Sequence, residues 1–306
     1  MTEKDRNIFL QTLYACLHTI CGYLIIPISE SNKVDLIKGH KWIKYYQYRP
    51  DTQKLYLQIN VNKGEINNEM VKNFAEYKRK IDLLMHILGY TYNDFVISRA
   101  DLCINSDMIG SYDRYRKLYK LIMCCLYYSL GLNRGYETRD PINFKHLNLK
   151  FCDRKMEIEN YDKSMESQNK VPTKNRLELR SLKLFTDLEG VKNEFCMNWI
   201  NRLQDCIREI KVVEERYNEQ IIREYMQKDV KSVDALMDQY KNCIFSTRQL
   251  RNLLEKLQIK GDPYNSSKYY KRKYQMQFFS QKDIEVTISA ITEQIKRYFN
   301  WSYVKI

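Results

Sequence analysis

NFKHLNLKFCDRKMEIENYDKSMESQNKVPTKNRLELRSLKL, residues 143–184, is the stretch on which the fold turns. Apolar and polar residues alternate in it three times, the pattern of a strand with two unlike faces. The runs Lys145 to Cys152 and Met156 to Lys163 flank the charged Asp153-Arg154-Lys155 and read as a hairpin. A polar loop containing Pro172 then leads to Arg176-Leu177-Glu178-Leu179-Arg180. Because successive side chains point to opposite faces, Glu157, Glu159, Tyr161 and Lys163 share one face, and Arg176, Glu178 and Arg180 share one face of the later strand. Such a face is either the floor of an active site or a solvated sheet surface.

Working outward, His40 to Arg49 and Lys54 to Val61 form a first hairpin around Pro50-Asp51-Thr52. Residues 67–88 space Met70, Phe74, Tyr77, Ile81, Leu84 and Ile87 as an amphipathic helix ended by Gly89. Phe95 to Asn105 is a strand with Arg99, Asp101, Cys103 and Asn105 on one face, and residues 112–130 are a helix closed by Gly131. Asp101 in mid-strand requires a cation such as Arg99, a metal ion or solvent, since an unpaired buried carboxylate is costly. Gly131 to Pro141 reads as a loop. Ile8 to Ile28 is interrupted by Gln11, His18, Gly22 and Pro27, so it reads not as a signal peptide or membrane span but as a buried helix running into an early strand.

This order predicts an α+β domain, residues 1–185, with a mainly antiparallel sheet covered by helices on one face. A largely α-helical region, 186–306, follows, with Leu188 to about Lys228 as one long helix or two and Ser232 and Ser246 as N-caps. Ser280 with Asp283 opens a last helix in the manner of a capping box, and the basic, aromatic segment Lys260 to Phe279 gives this end either a winged-helix-like form or that of a helical bundle with a charged loop.

The 306 residues carry a formal charge of +13, which points to an anionic partner, nucleic acid before lipid. The 9 cysteines form no CxxC pair, which excludes a zinc ribbon and a disulfide scaffold and fits a reducing cytoplasm. His18, His40, His86 and His146 form no HxH or HExxH pair, and GxxxxGK[ST] and GxSxG are absent. Tyrosine, carboxylates and cations remain. Tyrosine attack on a phosphodiester, with cations or a divalent ion meeting the charge on phosphate, is the chemistry they suit, and Asp and Glu ligands favour Mg or Mn over zinc. Of the 25 tyrosines most belong to the core or its edge, and RNA binding on the sheet would need exposed rings that the Lys/Glu-rich strand faces offer sparingly.

Arg99-Ala100-Asp101-Leu102, Tyr161-Asp162-Lys163 with Glu166, and Arg176-Leu177-Glu178-Leu179-Arg180 resemble, in order, the RxDL, YxKxxE and RxExR elements of Rep_trans-type rolling-circle replication initiators. That family includes plasmid replication initiation factors and relaxase-like proteins of conjugative elements. The resemblance covers roughly residues 40–185. It implies a metal-dependent, site-specific DNA endonuclease and strand transferase acting at a single-stranded or cruciform origin, with a host helicase among its partners and no membrane role. Tyr161 would be the nucleophile, Lys163 would steady the phosphate, and Asp101 and Glu178 would bind Mg or Mn. Arg99, Arg176 and Arg180 are DNA contacts or structural ion pairs, and Glu157 and Glu159 are reserve ligands. A transfer-origin relaxase and a non-enzymatic sequence-specific DNA-binding protein are the alternatives. A homodimer through the C-terminal helices is compatible with the resemblance, although no sustained heptad specifies one.

Overall fold

The computed structural model describes residues 7, 9–62, 71–106, 113–132, 134–139, 147–163, 175–228, 231–241, 243–261 and 278–300. In chain order the strands are β1 Leu13–Ile25, β2 Ile43–Arg49, β3 Lys54–Ile59, β4 Val96–Ser106, β5 Arg134–Arg139, β6 Leu147–Cys152, β7 Met156–Tyr161 and β8 Asn175–Ser181. The helices are α1 Phe74–Ile87, α2 Asp113–Leu130, α3 Met197–Asp205, α4 Ile210–Tyr225, α5 Val233–Tyr240, α6 Thr247–Lys256 and α7 Gln281–Tyr298. The protein is α+β with a helical C-terminal region.

The strands form one 8-stranded sheet in the order β2-β3-β1-β4-β8-β7-β6-β5, and every described pairing is antiparallel. The expected hairpins are present as β2–β3 and β6–β7. Two expectations are corrected. The helical part of Ile8 to Ile28 is only a turn at residues 9–11, and the strand is far longer than expected: the 13-residue β1, which lies between β3 and β4. β1 is apolar or aromatic at most positions on both faces and its period is broken at the His18 bulge, so its near-continuous apolar text resembles a buried helix. The expected loop after Gly131 contains β5, which among the described strands pairs with β6 at the sheet edge.

Residues opposite one another across antiparallel strands share a face. Leu102, Leu179 and Ile158 align across β4, β8 and β7, with Ile104 beside Leu177, and all five are fully buried. Burying each such side chain contributes about 1.5–3 kcal/mol. α1 packs against β1. Its register is set by Asn73, whose side chain accepts from the Glu76 amide, and it presents Phe74, Tyr77, Ile81 and Leu84 inward. Gly89, at φ 78°, ends it in the left-handed conformation that glycine adopts without strain.

The chain divides into two compact units that interleave along the sequence. One comprises residues 13–107, 133–201 and 291–306 and contains the whole sheet. The other comprises 1–12, 108–132 and 202–290, and its core gathers Ile221, Tyr225, Leu236, Leu250, Leu253 and Leu254 from α4, α5 and α6. Ser232 and Ser246 cap α5 and α6 as expected, accepting from the amides of Ala235 and Gln249. Ser280 and Asp283 exchange the reciprocal bonds of a capping box at the start of α7. From Leu188 the helical path runs through a π-helical stretch, Val191–Cys196, into α3, and a 3-10 segment, Cys206–Glu209, separates α3 from α4. The hairpin-like part of 260–279 falls largely on 262–277, outside the described residues. Among the described residues no helix is long and apolar enough to cross a membrane.

Candidate functional site

The alternation of β4, β8 and β7 carries a second set of residues to the face opposite the leucine layer. Asp101 aligns with Arg180 and Arg180 with Glu157; Cys103 aligns with Glu178 and Glu178 with Glu159; Asn105 aligns with Arg176 and Arg176 with Tyr161. The RxDL and RxExR text and Tyr161 thus meet on adjacent strands. Glu166 lies outside the described residues.

Glu178 is the hub. Its Oε1 accepts from the Tyr161 hydroxyl at 2.6 Å and from the Cys103 thiol at 3.5 Å. Arg180 donates to its other oxygen, and Arg176 Nη1 lies 3.6 Å from Oε1. Burial alone would raise the Glu178 pKa, but Arg180, with Arg176 and the Tyr161 hydrogen bond, outweighs it and holds the carboxyl well below the usual range. The carboxylate is ionised. Arg180 also reaches Glu157, and Glu159 at 2.7 Å. Lys150 sits 2.7 Å from Glu157. Burial raises the Glu159 pKa, whereas at Glu157 Lys150 and Arg180 reverse that effect.

Asp101 is gripped by Arg99, whose Nε and Nη2 donate to its two oxygens at 2.8 and 2.9 Å. Its pKa is nevertheless raised, because burial outweighs the guanidinium. Arg176 is fully buried; its Nε donates to Asn105 Oδ1 at 2.7 Å, while Nη1 and Nη2 have no hydrogen-bond partner. Lys163 holds its Nζ 5.8 Å from the Tyr161 ring centroid.

Sequence reasoning missed His18. The β1–β4 register shifts between Leu17 and Thr19, leaving His18 as an extra residue at the bulge. Its Nδ1 lies 4.0 Å from Glu178 Oε1, and Asn60 Nδ2 approaches its Nε2 at 3.3 Å. Burial, then Arg176, pushes its pKa well below the ordinary value, so the imidazole is neutral and able to offer a lone pair. Ligand atoms of His18, Cys103 and Glu178 all lie within 4.8 Å of one another, an arrangement that could hold a metal ion. Asp101 is not in that group, and its oxygens are engaged by Arg99. The one sequence signal for His18 was its place two residues after Cys16, on a strand read as helix.

No protein-family model and no curated protein matches this chain. Among solved structures it is similar to a rolling circle replication initiator protein from Geobacillus stearothermophilus, with 12% identity and a TM-score of 0.33 over 56% of this chain and 76% of that one. At that level of likeness, function is argued from the residues of the site.

Proposed function

We propose that this protein is a replication initiator that nicks one DNA strand at an origin through Tyr161 and later rejoins it. The observation that carries the reading is the hydrogen bond from Tyr161 to Glu178 at the meeting point of three separate sequence elements on β4, β8 and β7. In the nicking step the Tyr161 oxygen bonds to phosphorus and the bond from phosphorus to the 3′ oxygen breaks. A 5′-phosphotyrosyl link and a free 3′ hydroxyl result, the phenol proton leaves to solvent, and the departing oxygen takes up a proton. Rejoining reverses these steps.

Glu178 orients the phenol rather than keeping its proton. Transfer from a phenol near pKa 10 to a carboxylate near 4 is already uphill by about 8 kcal/mol, and Glu178 lies lower still. Cations beside the phenol favour its ionisation, and Arg176, the strand partner of Tyr161 across β7 and β8, is one such group. Lys163, whose Nζ lies 5.8 Å from the Tyr161 ring centroid, would steady the phosphate in this reading. Of the oxygen ligands for Mg or Mn, Glu178 fits, since it is ionised and belongs to both candidate donor sets; Asp101 fits once Arg99 releases it. When bound, such an ion would supply positive charge to the phosphate.

In this reading residues 1–185 carry the nicking chemistry and 186–306 bind origin DNA or dimerise, in the cytoplasm and in company with a host helicase. The same chemistry at a transfer origin would make the protein a relaxase. A non-enzymatic DNA-binding protein is the second reading, favoured by the burial of Tyr161, only 6% exposed. The two separate by peptide mapping of protein incubated with Mn and single-stranded DNA from the region flanking its own coding sequence. A nucleotide on the peptide containing Tyr161 supports nicking, and unmodified Tyr161 after DNA cleavage sinks the assignment.

A further inference from the structure

The polar face does not end at Asp101. Arg99 aligns with Cys21 on β1, Cys21 with Gln58 on β3, and Gln58 with Tyr45 on β2. One step further along the same face, Tyr23, Tyr56 and Gln47 align, and beyond them Ile25, Lys54 and Arg49. Lys44, the extra residue where the β2–β3 register shifts, makes its charge felt at both His18 and Cys21. Cations and tyrosines therefore extend the Tyr161 site across β1, β3 and β2.

This half of the face is accessible: Tyr45 is 52% exposed and Ile25 59% exposed, and Tyr23 and Tyr56 are half-buried. The rings of Tyr23 and Tyr56, 5.8 Å apart and tilted by 50°, do not stack on each other. Cations lie over them, Lys54 Nζ at 4.2 Å from the Tyr23 centroid and Arg49 at 5.1 Å from that of Tyr56. An exposed cation over a ring is worth about 0.5–1 kcal/mol, whereas a nucleobase stacked on an aromatic side chain is worth about 1–3 kcal/mol. A base therefore displaces the cation, and the displaced cation is left beside the phosphate that follows the base. Duplex DNA, with its bases already stacked, offers these rings nothing.

We infer that the β1–β3–β2 part of the polar face is the track for the unpaired DNA strand next to the nick, with Tyr23, Tyr56 and Tyr45 as stacking platforms and Lys44, Lys54 and Arg49 as phosphate contacts. The choice of DNA over RNA rests on the proposed reading of Tyr161; the stacking does not. Fluorescence anisotropy of the full chain with labelled oligothymidylate, oligouridylate and a duplex tests it. Tyr23→Ala and Tyr56→Ala should each weaken oligothymidylate binding by roughly 5- to 100-fold with duplex binding unchanged. Tyr23→Phe and Tyr56→Phe, which keep the rings, should bind as wild type. Lys54→Gln should reduce the slope of log affinity against log salt by about 0.7. Wild-type affinity in a folded Tyr23→Ala/Tyr56→Ala variant, equal losses for strand and duplex, or tighter binding to oligouridylate would each overturn the inference. Tyr161→Phe should bind oligothymidylate normally, so failure of the nicking chemistry is distinguishable from failure of the track.

Discussion

Replacing Glu178 by Gln keeps the side chain's shape and removes the charge on which the cluster is balanced. Glu178 is 2% exposed, and Arg176, fully buried with its Nη atoms unbonded, has it as its carboxylate partner at 3.6 Å. Arg180 would retain Glu157, Glu159 and Asp101, so its share of the loss is small. Arg176 dominates. Removing one partner of a buried ion pair costs about 3–5 kcal/mol, against a total stability of about 5–15 kcal/mol for a typical domain. Urea unfolding followed by far-ultraviolet circular dichroism should register that loss at neutral pH. The acid limb should change as well. Because the folded pKa of Glu178 is depressed, its contribution is present above the unfolded value of about 4.3 and is lost as pH falls toward the folded value. Glu178→Gln should lack that part of the acid-induced loss. A deficit below about 1 kcal/mol, with an unchanged acid limb, would refute the buried charge balance.

Two further outcomes follow from the same structure. Mn should raise the melting temperature of wild type, about 2.7 kcal/mol of stabilisation at a hundred times the dissociation constant, and should not raise that of Glu178→Gln; equal shifts would move the metal elsewhere. Ser232→Ala should lower stability by about 1 kcal/mol in urea, since it removes the side chain that accepts from the Ala235 amide, and no change would mean the cap is idle.

The β6–β7 hairpin, β8 and β4 were legible because each alternates an apolar face with a polar one; that alternation put Asp101, Glu178 and Tyr161 on polar faces, and the resemblance to Rep_trans-type initiators singled them out as site residues. β1 was not legible, because its text, LYACLHTICGYLI, is apolar or aromatic at most positions on both faces and the bulge at His18 breaks the period. With β1 read as helix, His18 could not be placed beside Glu178, and Tyr23 could not be seen to share a face with Tyr56. β5 was missed for the opposite reason: Arg134 to Arg139, RGYETR, is an edge strand whose one aromatic residue, Tyr136, makes no apolar alternation to betray it. The fate of Asp101 depended on tertiary pairing. Whether it met Arg99, a metal or solvent was left open by a strand pattern that places Arg99 two residues away.

The most direct test of the central claim is to incubate wild type and Tyr161→Phe with Mn and labelled single-stranded DNA from the region flanking the coding sequence, and to resolve the products under denaturing conditions. The account predicts a labelled band at the mass of the protein for wild type and none for Tyr161→Phe, with both variants folded and both binding the strand. The same band in both variants would contradict it.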